Sequence, residues 1–335
     1  MKVLGIETSC DETAVAVVED GHTVLSNLVS SQTDLHARFG GVVPEVAARA
    51  HVEALNPLMQ EALERAGCRF ADVDAVAVTV GPGLVGALLV GIAGAKAVAL
   101  ASRAEFVGVN HLEGHIYANF LGHGPPEPPY VCLVVSGGHT MLVHMPAEHR
   151  YEVLGQTVDD AAGEAFDKIA RFMGLGFPGG PALDRLARAG NPAAIRFPRA
   201  MAESGDYDFS LSGLKTAVLR HVKAEQAAGR AVDPADLAAS FEEAIVDVQV
   251  SKTIAAAEEK GVRTVLLGGG VVANTRLRER METAGDQAGV RVLFPPLELC
   301  TDNAAMIACA GASRLDRGER TPLDVGADPG LELAS

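Results

Sequence analysis

The sequence predicts an α/β protein made of two related domains, and three observations lead to this. The order strand, small-residue loop, strand, turn, strand begins at Lys2 and again at Tyr130, which indicates an internal duplication of about 130 residues. A length of 335 residues suits two domains. Residues 122–129 hold four prolines and two glycines, so they predict the boundary between the halves.

Hydrophobic periodicity and turn residues divide the chain into alternating strands and helices. The predicted strands cover residues 2–8, 13–19, 22–30, 73–80, 106–109, 130–135, 140–144, 151–156, 265–267 and 290–294. The predicted helices cover residues 44–65, 84–100, 111–121, 163–173, 182–189, 212–222 and 234–260, one that Asn274 caps, and 301–317. Residues 84–100 are apolar but carry Lys96, so we expect a buried core helix. The segment from Thr321 is expected to fray.

Composition narrows the functional classes. The five cysteines are scattered without CxxC spacing, which argues against a disulfide framework or a zinc ribbon and fits the cytoplasm. No signal peptide or membrane span is predicted. A formal net charge of −15 argues against a protein that coats nucleic acid through overall charge, although a local basic face is compatible with it.

Two histidines stand at helical spacing in the segment His111-Leu112-Glu113-Gly114-His115. Positions i and i+4 share one face of a helix, so both imidazoles can bind one divalent metal, or they are two surface histidines. Asp302, at the start of the last predicted helix, is the best candidate for a third ligand, and helix capping is its alternative role. Two histidines and one carboxylate form the facial set of non-haem Fe(II) sites, which Zn(II) also uses.

Three loops of small residues follow predicted strand ends, at residues 8–13, 136–140 and 268–270. Backbone N–H groups in such loops can approach an anion closely, and each loop alone can also be a plain turn. Together with the duplication they predict two half-domains around a nucleotide-sized cleft. No loop has the P-loop pattern or a full GxGxxG fingerprint.

Five polar residues near these loops are further candidates. Asp167 and Asp184 flank Gly179-Gly180 and can accept hydrogen bonds from ribose or substrate hydroxyls, or they are exposed helix charges. Asn274 is either a ligand-binding residue or a helix cap. Asp11 and Glu12 lie in the first loop, where they can serve as a general base or belong to the turn.

These motifs resemble the tRNA N6-adenosine threonylcarbamoyltransferase family, called TsaD in bacteria. The resemblance covers nearly the whole chain and includes seven long motifs in one order. They are residues 7–13, 111–115, 136–140, 163–168, 209–215, 268–274 and 300–303.

The resemblance implies the actin/sugar-kinase/Hsp70-like (ASKHA) fold, two duplicated α/β domains around a central cleft. Residues 1–128 with a C-terminal helix in 302–335 would form the first domain and carry the metal ligands. Residues 129–301 would form the second and carry most of the substrate loops. One Fe(II) per subunit, with Zn(II) or Mg(II) as substitutes in vitro, is implied on His111, His115 and Asp302. The residues implied to hold threonylcarbamoyl-AMP are Val134, Val135, Ser136, Gly137, Gly138, Asp167, Gly180, Asp184 and Asn274.

The implied reaction transfers threonylcarbamoyl to N6 of adenosine 37, just 3′ of the anticodon, in tRNAs that read codons beginning with adenine, and AMP leaves. Asp11 and Glu12 are the candidate catalytic residues. The resemblance implies TsaB-like and TsaE-like partner proteins, and a TsaC-like enzyme that makes the adenylate. The long helix that begins at Pro44 is a candidate surface for the TsaB-like partner. Candidate tRNA contacts are Arg185, Arg188, Arg196, Arg199, Lys215, Arg220 and Lys223.

Three other functions are open to the residues alone. The first is a zinc metalloprotease, because two histidines share a helix. Its motif needs Glu directly after the first His, however, and Leu112 stands there, which argues against it. An ATP-driven sugar kinase of the same fold and a nucleotide-binding scaffold without catalysis are the other two.

Overall fold

The chain forms two compact units in a computed structural model that describes residues 1–333, without the side chains of residues 122–123. Unit 1 comprises Met1–Pro126 and Pro295–Leu333, and unit 2 comprises Glu127–Phe294. Unit 1 is therefore built from both ends of the chain. The predicted domain limits at residues 128 and 301 stay predictions.

The structure has the following strands and helices in chain order. Strands β1 to β10 are Lys2–Glu7, Glu12–Glu19, Thr23–Ser31, Ala75–Gly81, Glu105–Asn110, Tyr130–Val135, Thr140–Ala147, Arg150–Gln156, Thr264–Gly268 and Arg291–Leu293. Helices α1 to α10 are Thr33–Ala37, Pro44–Arg65, Val85–Ser102, His111–His123, Ala162–Phe172, Gly179–Ala187, Ser212–Ala227, Pro234–Lys260, Thr275–Ala288 and Ala304–Asp316.

The two units contain sheets with the same topology. The sheet of unit 1 has the strand order β3-β2-β1-β4-β5, and that of unit 2 has the order β8-β7-β6-β9-β10. In each, the first three strands in sequence pair antiparallel and the later two join in parallel. Parallel joins require crossover connections, which the intervening helices supply. The predicted internal duplication is confirmed.

Aliphatic strands and small residues explain how unit 1 packs. Strand β4 is buried at every position, as its run of Val and Ala predicts. Glycine lets helices approach closely, because a Cβ at Gly5 would lie 2.2 Å from the Ala304 carbonyl oxygen of α10. In α3, a Cβ at Gly94 would lie 2.7 Å from a Leu55 methyl group of α2. Helix α10 therefore lies close to strand β1, and helix α3 lies close to α2.

The prediction of a buried core helix at residues 84–100 holds for only one face of α3. Val85–Ser102 is long and apolar enough to pass a length-and-hydropathy test for a membrane span, yet only 39% of that window is buried in the fold. One face packs on β4 and α2, whereas Leu89 and Leu100 are 51% and 65% exposed. Half of this helix therefore presents apolar side chains at the surface of unit 1.

The structure departs from the predicted elements at three other places. Residues 33–37 form the short helix α1, where no helix is predicted. Helix α6 begins at Gly179 instead of residue 182, because Asp167 Oδ1 accepts hydrogen bonds from the N–H groups of Gly179 and Gly180. The segment from Thr321 is not frayed, since its backbone bonds to β4 and β5, for example from Asp328 N–H to the Val80 carbonyl at 2.8 Å.

Candidate metal centre and substrate loops

Helix α4 carries the two predicted metal-binding histidines. It starts directly after β5, and Asn110 caps it by accepting a hydrogen bond from the Leu112 N–H at 2.8 Å. His111 and His115 are both buried, and their ring centroids lie 4.6 Å apart. The fold thus places two imidazoles side by side in a site shielded from solvent.

Asp302 lies next to these histidines. Its Oδ1 is 3.3 Å from His115 Nε2 and 3.6 Å from His111 Nε2. The alternative reading of Asp302 as the helix cap is wrong, because Asn303 caps α10 by accepting a hydrogen bond from the Met306 N–H. The carboxylate of Asp302 is therefore directed to the imidazoles and not to the helix end.

The arrangement fits a metal ion. One ligand atom from each of the three side chains lies within 4.8 Å of the others. Two ligand atoms on one Zn²⁺ at ordinary bond lengths are about 3–3.5 Å apart, so small side-chain movements would bring the three atoms to bonding distance of one ion. Both ring nitrogens of His115 are buried and make no hydrogen bond within residues 1–333. Burial lowers the pKa of His115, which favours the neutral ligand form.

Glu7 also belongs to the candidate metal centre, although it was not among the predicted site residues. It is fully buried at the end of β1, and its Oε2 lies 3.0 Å from His111 Nδ1. The same carboxylate accepts hydrogen bonds from Ser9 N–H and the Thr79 hydroxyl, both at 2.5 Å. A carboxylate on the far nitrogen of a histidine directs the other nitrogen to a metal. Because β1 reads as a plain buried strand, only its register could have suggested this role.

Acidic charge around the cluster raises the pKa values of neighbouring side chains. Burial opposes protonation of His111, but Asp302 and Glu7 outweigh it and raise the His111 pKa to about 9. Burial, followed by the charges of Asp302 and Asp11, raises the pKa of Glu12 to about 9. A cluster with this surplus of negative charge is suited to binding a cation.

The loop that carries Asp11 and Glu12 is anchored from α2. His51 is buried in that helix, and its Nε2 donates a hydrogen bond to the Cys10 carbonyl at 3.0 Å. Its Nδ1 lies 2.8 Å from the Thr13 hydroxyl. Glu12 accepts a hydrogen bond from Ser31. The predicted catalytic loop is therefore held at both ends.

In unit 2, the predicted substrate loop follows β6 as a tight turn. Ser136 N–H donates to the His139 carbonyl at 2.8 Å, and Ser136 Oγ accepts from the His139 N–H. A Cβ at Gly137 or Gly138 would meet no atom within 4 Å. Open space therefore lies in front of this turn.

The two valines predicted to bind the substrate are placed differently from the glycines of the turn. Val134 and Val135 are fully buried within β6. Their side chains belong to the core of unit 2. Only their backbone is available for contact with a ligand.

The remaining predicted substrate residues connect four helices of unit 2. Asp167 of α5 holds the first turn of α6, where Gly180 also faces open space. Asp184 of α6 is buried, and its Oδ1 accepts a hydrogen bond from the Thr275 N–H at the start of α9. Asn274 caps α9 and donates to Glu242 of α8 at 2.6 Å. The structure brings these residues into one connected set.

The predicted tRNA contacts divide into two groups. Arg188, Arg199 and Lys215 form ion pairs with Asp184, Asp247 and Asp160. The remaining four are exposed and belong to α6, α7 and the connection between them. They are Arg185, Arg196, Arg220 and Lys223.

A metalloprotease role for the histidine helix is excluded by the placement of its glutamate. Glu113 is fully buried, and its Oε2 lies 2.7 Å from Arg314 Nη2 of α10. The carboxylate is therefore committed to an ion pair and is not available to activate a water beside the histidines.

Comparisons with known proteins point to one family. The family model described as TsaD, tRNA N6-adenosine threonylcarbamoyltransferase, matches residues 23–309. A protein of that name from Symbiobacterium thermophilum is 58% identical over 99% of this chain and 96% of its own length. Another protein of that name, from Moorella thermoacetica, is 55% identical over 99% of this chain and 97% of its own length.

Solved structures agree on the fold. HypF from T. kodakarensis aligns with a TM-score of 0.65 and 15% identity, over 94% of this chain and 48% of its own. Component A of the (R)-2-hydroxyglutaryl-CoA dehydratase from Acidaminococcus fermentans aligns with a TM-score of 0.56 and 16% identity, over 94% and 99%. At this identity the likeness shows the fold alone, and the predicted ASKHA fold is confirmed.

Proposed function

Because the chain belongs to the tRNA N6-adenosine threonylcarbamoyltransferase family and is thus a tRNA-modifying transferase, we propose that it transfers threonylcarbamoyl from threonylcarbamoyl-AMP to N6 of adenosine 37. The tRNA substrates would be those that read codons beginning with adenine. The observation that supports a metal-dependent reaction most strongly is the cluster of His111, His115 and Asp302.

In the proposed reaction, the N6 amine attacks the carbamoyl carbon of the mixed anhydride. A new N–C bond forms, the C–O bond to the phosphate breaks, and AMP leaves with the electron pair. The N6 proton passes to Asp11 or Glu12 of the first loop. With a pKa of about 9, the Glu12 carboxyl is protonated at neutral pH. A cation bound by His111, His115 and Asp302 would lower that pKa, so that Glu12 could accept the proton.

We propose Fe(II) as the resident metal, with Zn(II) or Mg(II) as substitutes in vitro. His111, His115 and Asp302 would bind it and leave positions open for substrate oxygens. The bound ion would act as a Lewis acid and orient the acyl donor. Glu7 would hold the His111 ring so that Nε2 faces the ion.

We propose that threonylcarbamoyl-AMP binds to unit 2. The open space at Gly137, Gly138 and Gly180 would admit its phosphate, because backbone N–H groups without side chains can approach an anion closely. Backbone atoms of Val134 and Val135 complete the loop. Asp167, Asp184 and Asn274 would shape the nucleoside side of the pocket through the helix ends they hold.

The proposed partners are tRNA, a TsaB-like protein and a TsaE-like protein, with a TsaC-like enzyme supplying the adenylate in the cytoplasm. The exposed apolar face of α2 and α3 supports the TsaB-like partner, since Val52, Leu89 and Leu100 are each more than half exposed. A separate groove of about 560 Å³ is lined by residues of α2 and α3 together with Phe70 and Ala71. Apolar patches of this kind mark protein contacts.

A reconstituted assay tests the proposal. Protein, tRNA, threonine, bicarbonate, ATP and the partner proteins are combined, and modified adenosine is measured by mass spectrometry. Single-turnover transfer from preformed adenylate then compares wild type with His111→Ala. We expect a loss of about 100-fold or more, as for removal of an essential electrostatic group.

His144→Ala is the matched control, because His144 lies in unit 2, where its Nδ1 is 2.8 Å from the half-exposed carboxylate of Glu152. This variant should transfer normally. Full transfer by a folded His111→Ala variant would refute the metal role. The absence of modified adenosine from every complete wild-type mixture would refute the reaction itself.

A further inference from the structure

The last described residues of the chain bind back onto the sheet of unit 1. We call residues 321–333 the C-terminal strap. It starts at β5, where Thr321 N–H donates to the Phe106 carbonyl and Gly108 N–H donates to Thr321 Oγ1 at 2.8 Å. These bonds replace the ladder partner that an edge strand lacks, so they anchor the strap in register.

The strap next crosses the end of β4. Asp328 N–H donates to the Val80 carbonyl at 2.8 Å, and Gly83 N–H donates to the Pro329 carbonyl at 3.3 Å. A Cβ at Gly81 would lie only 1.9 Å from the Asp328 carbonyl oxygen, so the two backbones are in close contact. The strap is therefore part of the packed structure of unit 1.

The strap ends at Asn110, the residue immediately before the metal-binding helix. Asn110 Nδ2 donates to the carbonyls of Leu331 at 3.3 Å and Glu332 at 3.0 Å. Its Oδ1 caps α4 through the Leu112 N–H. One side chain thus connects the strap to the first turn of the helix that carries His111.

The chemistry of the position explains why asparagine suits it. Aspartate, serine and asparagine all cap helices well, but among them only asparagine combines a cap acceptor with N–H donors for two carbonyl oxygens. Aspartate would keep the cap and place a second oxygen against the Leu331 and Glu332 carbonyls. The residue is therefore matched to both neighbours.

From this geometry we infer that Asn110 is a positioning residue and that, with the C-terminal strap, it sets the orientation of the metal-binding turn of α4. The inference rests on the metal centre proposed above. Loss of the strap frees the cap, the first turn of α4 shifts, and His111 moves relative to Glu7 and Asp302. Supporting residues of metal ligands typically change affinity by about 10–100-fold.

Three variants test this. Asn110→Asp keeps the cap and repels the strap, Asn110→Ser keeps the cap without repulsion, and removal of residues 321–335 deletes the strap. Leu323→Ala is the control within the strap, because Leu323 is 41% exposed. Each protein is titrated with Co(II) by calorimetry. Hydrogen exchange of the Leu112 amide region is measured on the same samples without metal.

We expect at least a tenfold weaker Co(II) affinity and severalfold faster exchange in α4 for Asn110→Asp and for the truncated chain. Asn110→Ser should show a smaller effect, and Leu323→Ala none. The added negative charge of aspartate by itself attracts a cation, so a weaker affinity reports geometry. If the truncated chain does not fold, the two Asn110 substitutions still decide.

The outcomes separate this inference from the proposed function. If hydrogen exchange in α4 is unchanged in Asn110→Asp, the inference is overturned, regardless of the Co(II) affinity of that variant. Unchanged Co(II) affinity in that variant, with wild type binding normally, also overturns it. A wild-type protein that binds no Co(II), Fe(II) or Zn(II) overturns the metal centre itself, and faster exchange in the variants would then show a strap that supports α4 alone.

Discussion

Glu113 of α4 and Arg314 of α10 form an ion pair in which Arg314 Nε and Nη2 lie 2.8 and 2.7 Å from Glu113 Oε2. The carboxylate is fully buried, whereas the arginine side chain is 26% exposed. Since α4 carries two candidate metal ligands and α10 follows the third, this pair holds the two parts of the centre together.

The pair makes an asymmetric prediction about stability. Arg314→Met removes the ion pair from a buried carboxylate and should lower the free energy of unfolding by about 3–5 kcal/mol. Glu113→Gln leaves an arginine that reaches solvent, so its cost should be smaller. Urea unfolding of both single variants and the double variant measures the difference. Equal losses in the two single variants would contradict the predicted asymmetry.

Glu7 should control metal affinity through His111. In Glu7→Gln the amide supplies one acceptor to a site that holds three donors, so His111 loses its orienting carboxylate. We expect Zn(II) or Co(II) affinity to fall about 10–100-fold. Thr79→Val is the control, because it removes another donor from Glu7 and leaves the histidine contact intact. A comparable loss in both variants would assign the effect to general packing.

Glu242 predicts a pH dependence of stability in unit 2. Burial raises its pKa to about 7, from 4.5, against the opposing hydrogen bond from Asn274. A raised folded-state pKa contributes stability that is complete below pH 4.5 and is lost as the pH rises through 7. Glu242→Gln lacks this titration. Its free energy of unfolding should therefore exceed that of wild type by up to about 3 kcal/mol at pH 8, and the difference should be smaller at pH 5.

Chemical denaturation at the two pH values measures this difference, and all other titrating groups cancel between the proteins. Glu243→Gln is the neighbouring control. It should destabilise at both pH values, because Arg276 and Arg280 share the Glu243 carboxylate. If the free energies of unfolding of Glu242→Gln and wild type differ by the same amount at pH 5 and pH 8, then Glu242 has no raised pKa.

Lys252 should order the irregular segment before α7. It is 4% exposed, and its Nζ donates to the carbonyls of Asp206 and Asp208 and to Ser204 Oγ. Lys252→Met leaves these acceptors unpaired and should cost about 1–3 kcal/mol. Limited proteolysis should then cut residues 201–209 faster than wild type. Cleavage at the wild-type rate would show that the segment holds its shape without the lysine.

Local patterns predicted the fold well because they repeat. The alternation of buried strands and the recurrence from Tyr130 carry enough information to give ten strands and the duplication. His111 and His115 could be predicted as metal ligands, since their i and i+4 spacing on a helix is visible in the sequence itself. Asp302 was a candidate because of its place at a predicted helix start, and the family resemblance implied the same residue, but its proximity to the histidines depends on a return of the chain from the far end.

Contacts between distant segments were not predictable in this way. Glu7 looks like any residue at the end of a strand until His111, 104 residues later, is placed beside it. The strap looked like a polar tail, because its order comes from hydrogen bonds to β4 and β5 and not from its own propensity. Asn303 took the cap that was the alternative role of Asp302, because α10 begins at Ala304 and its N-cap lies one residue further along the chain.

The empty space before Gly137, Gly138 and Gly180 has a consequence for mutagenesis. Nothing in the described chain occupies the volume that a methyl group would take there. Alanine at these three positions should therefore leave the melting temperature unchanged while obstructing whatever molecule docks against the turn and the helix end. Such alleles would separate the cell's need for catalysis from its need for the folded protein, since the substituted chain would stay folded while its reaction is blocked.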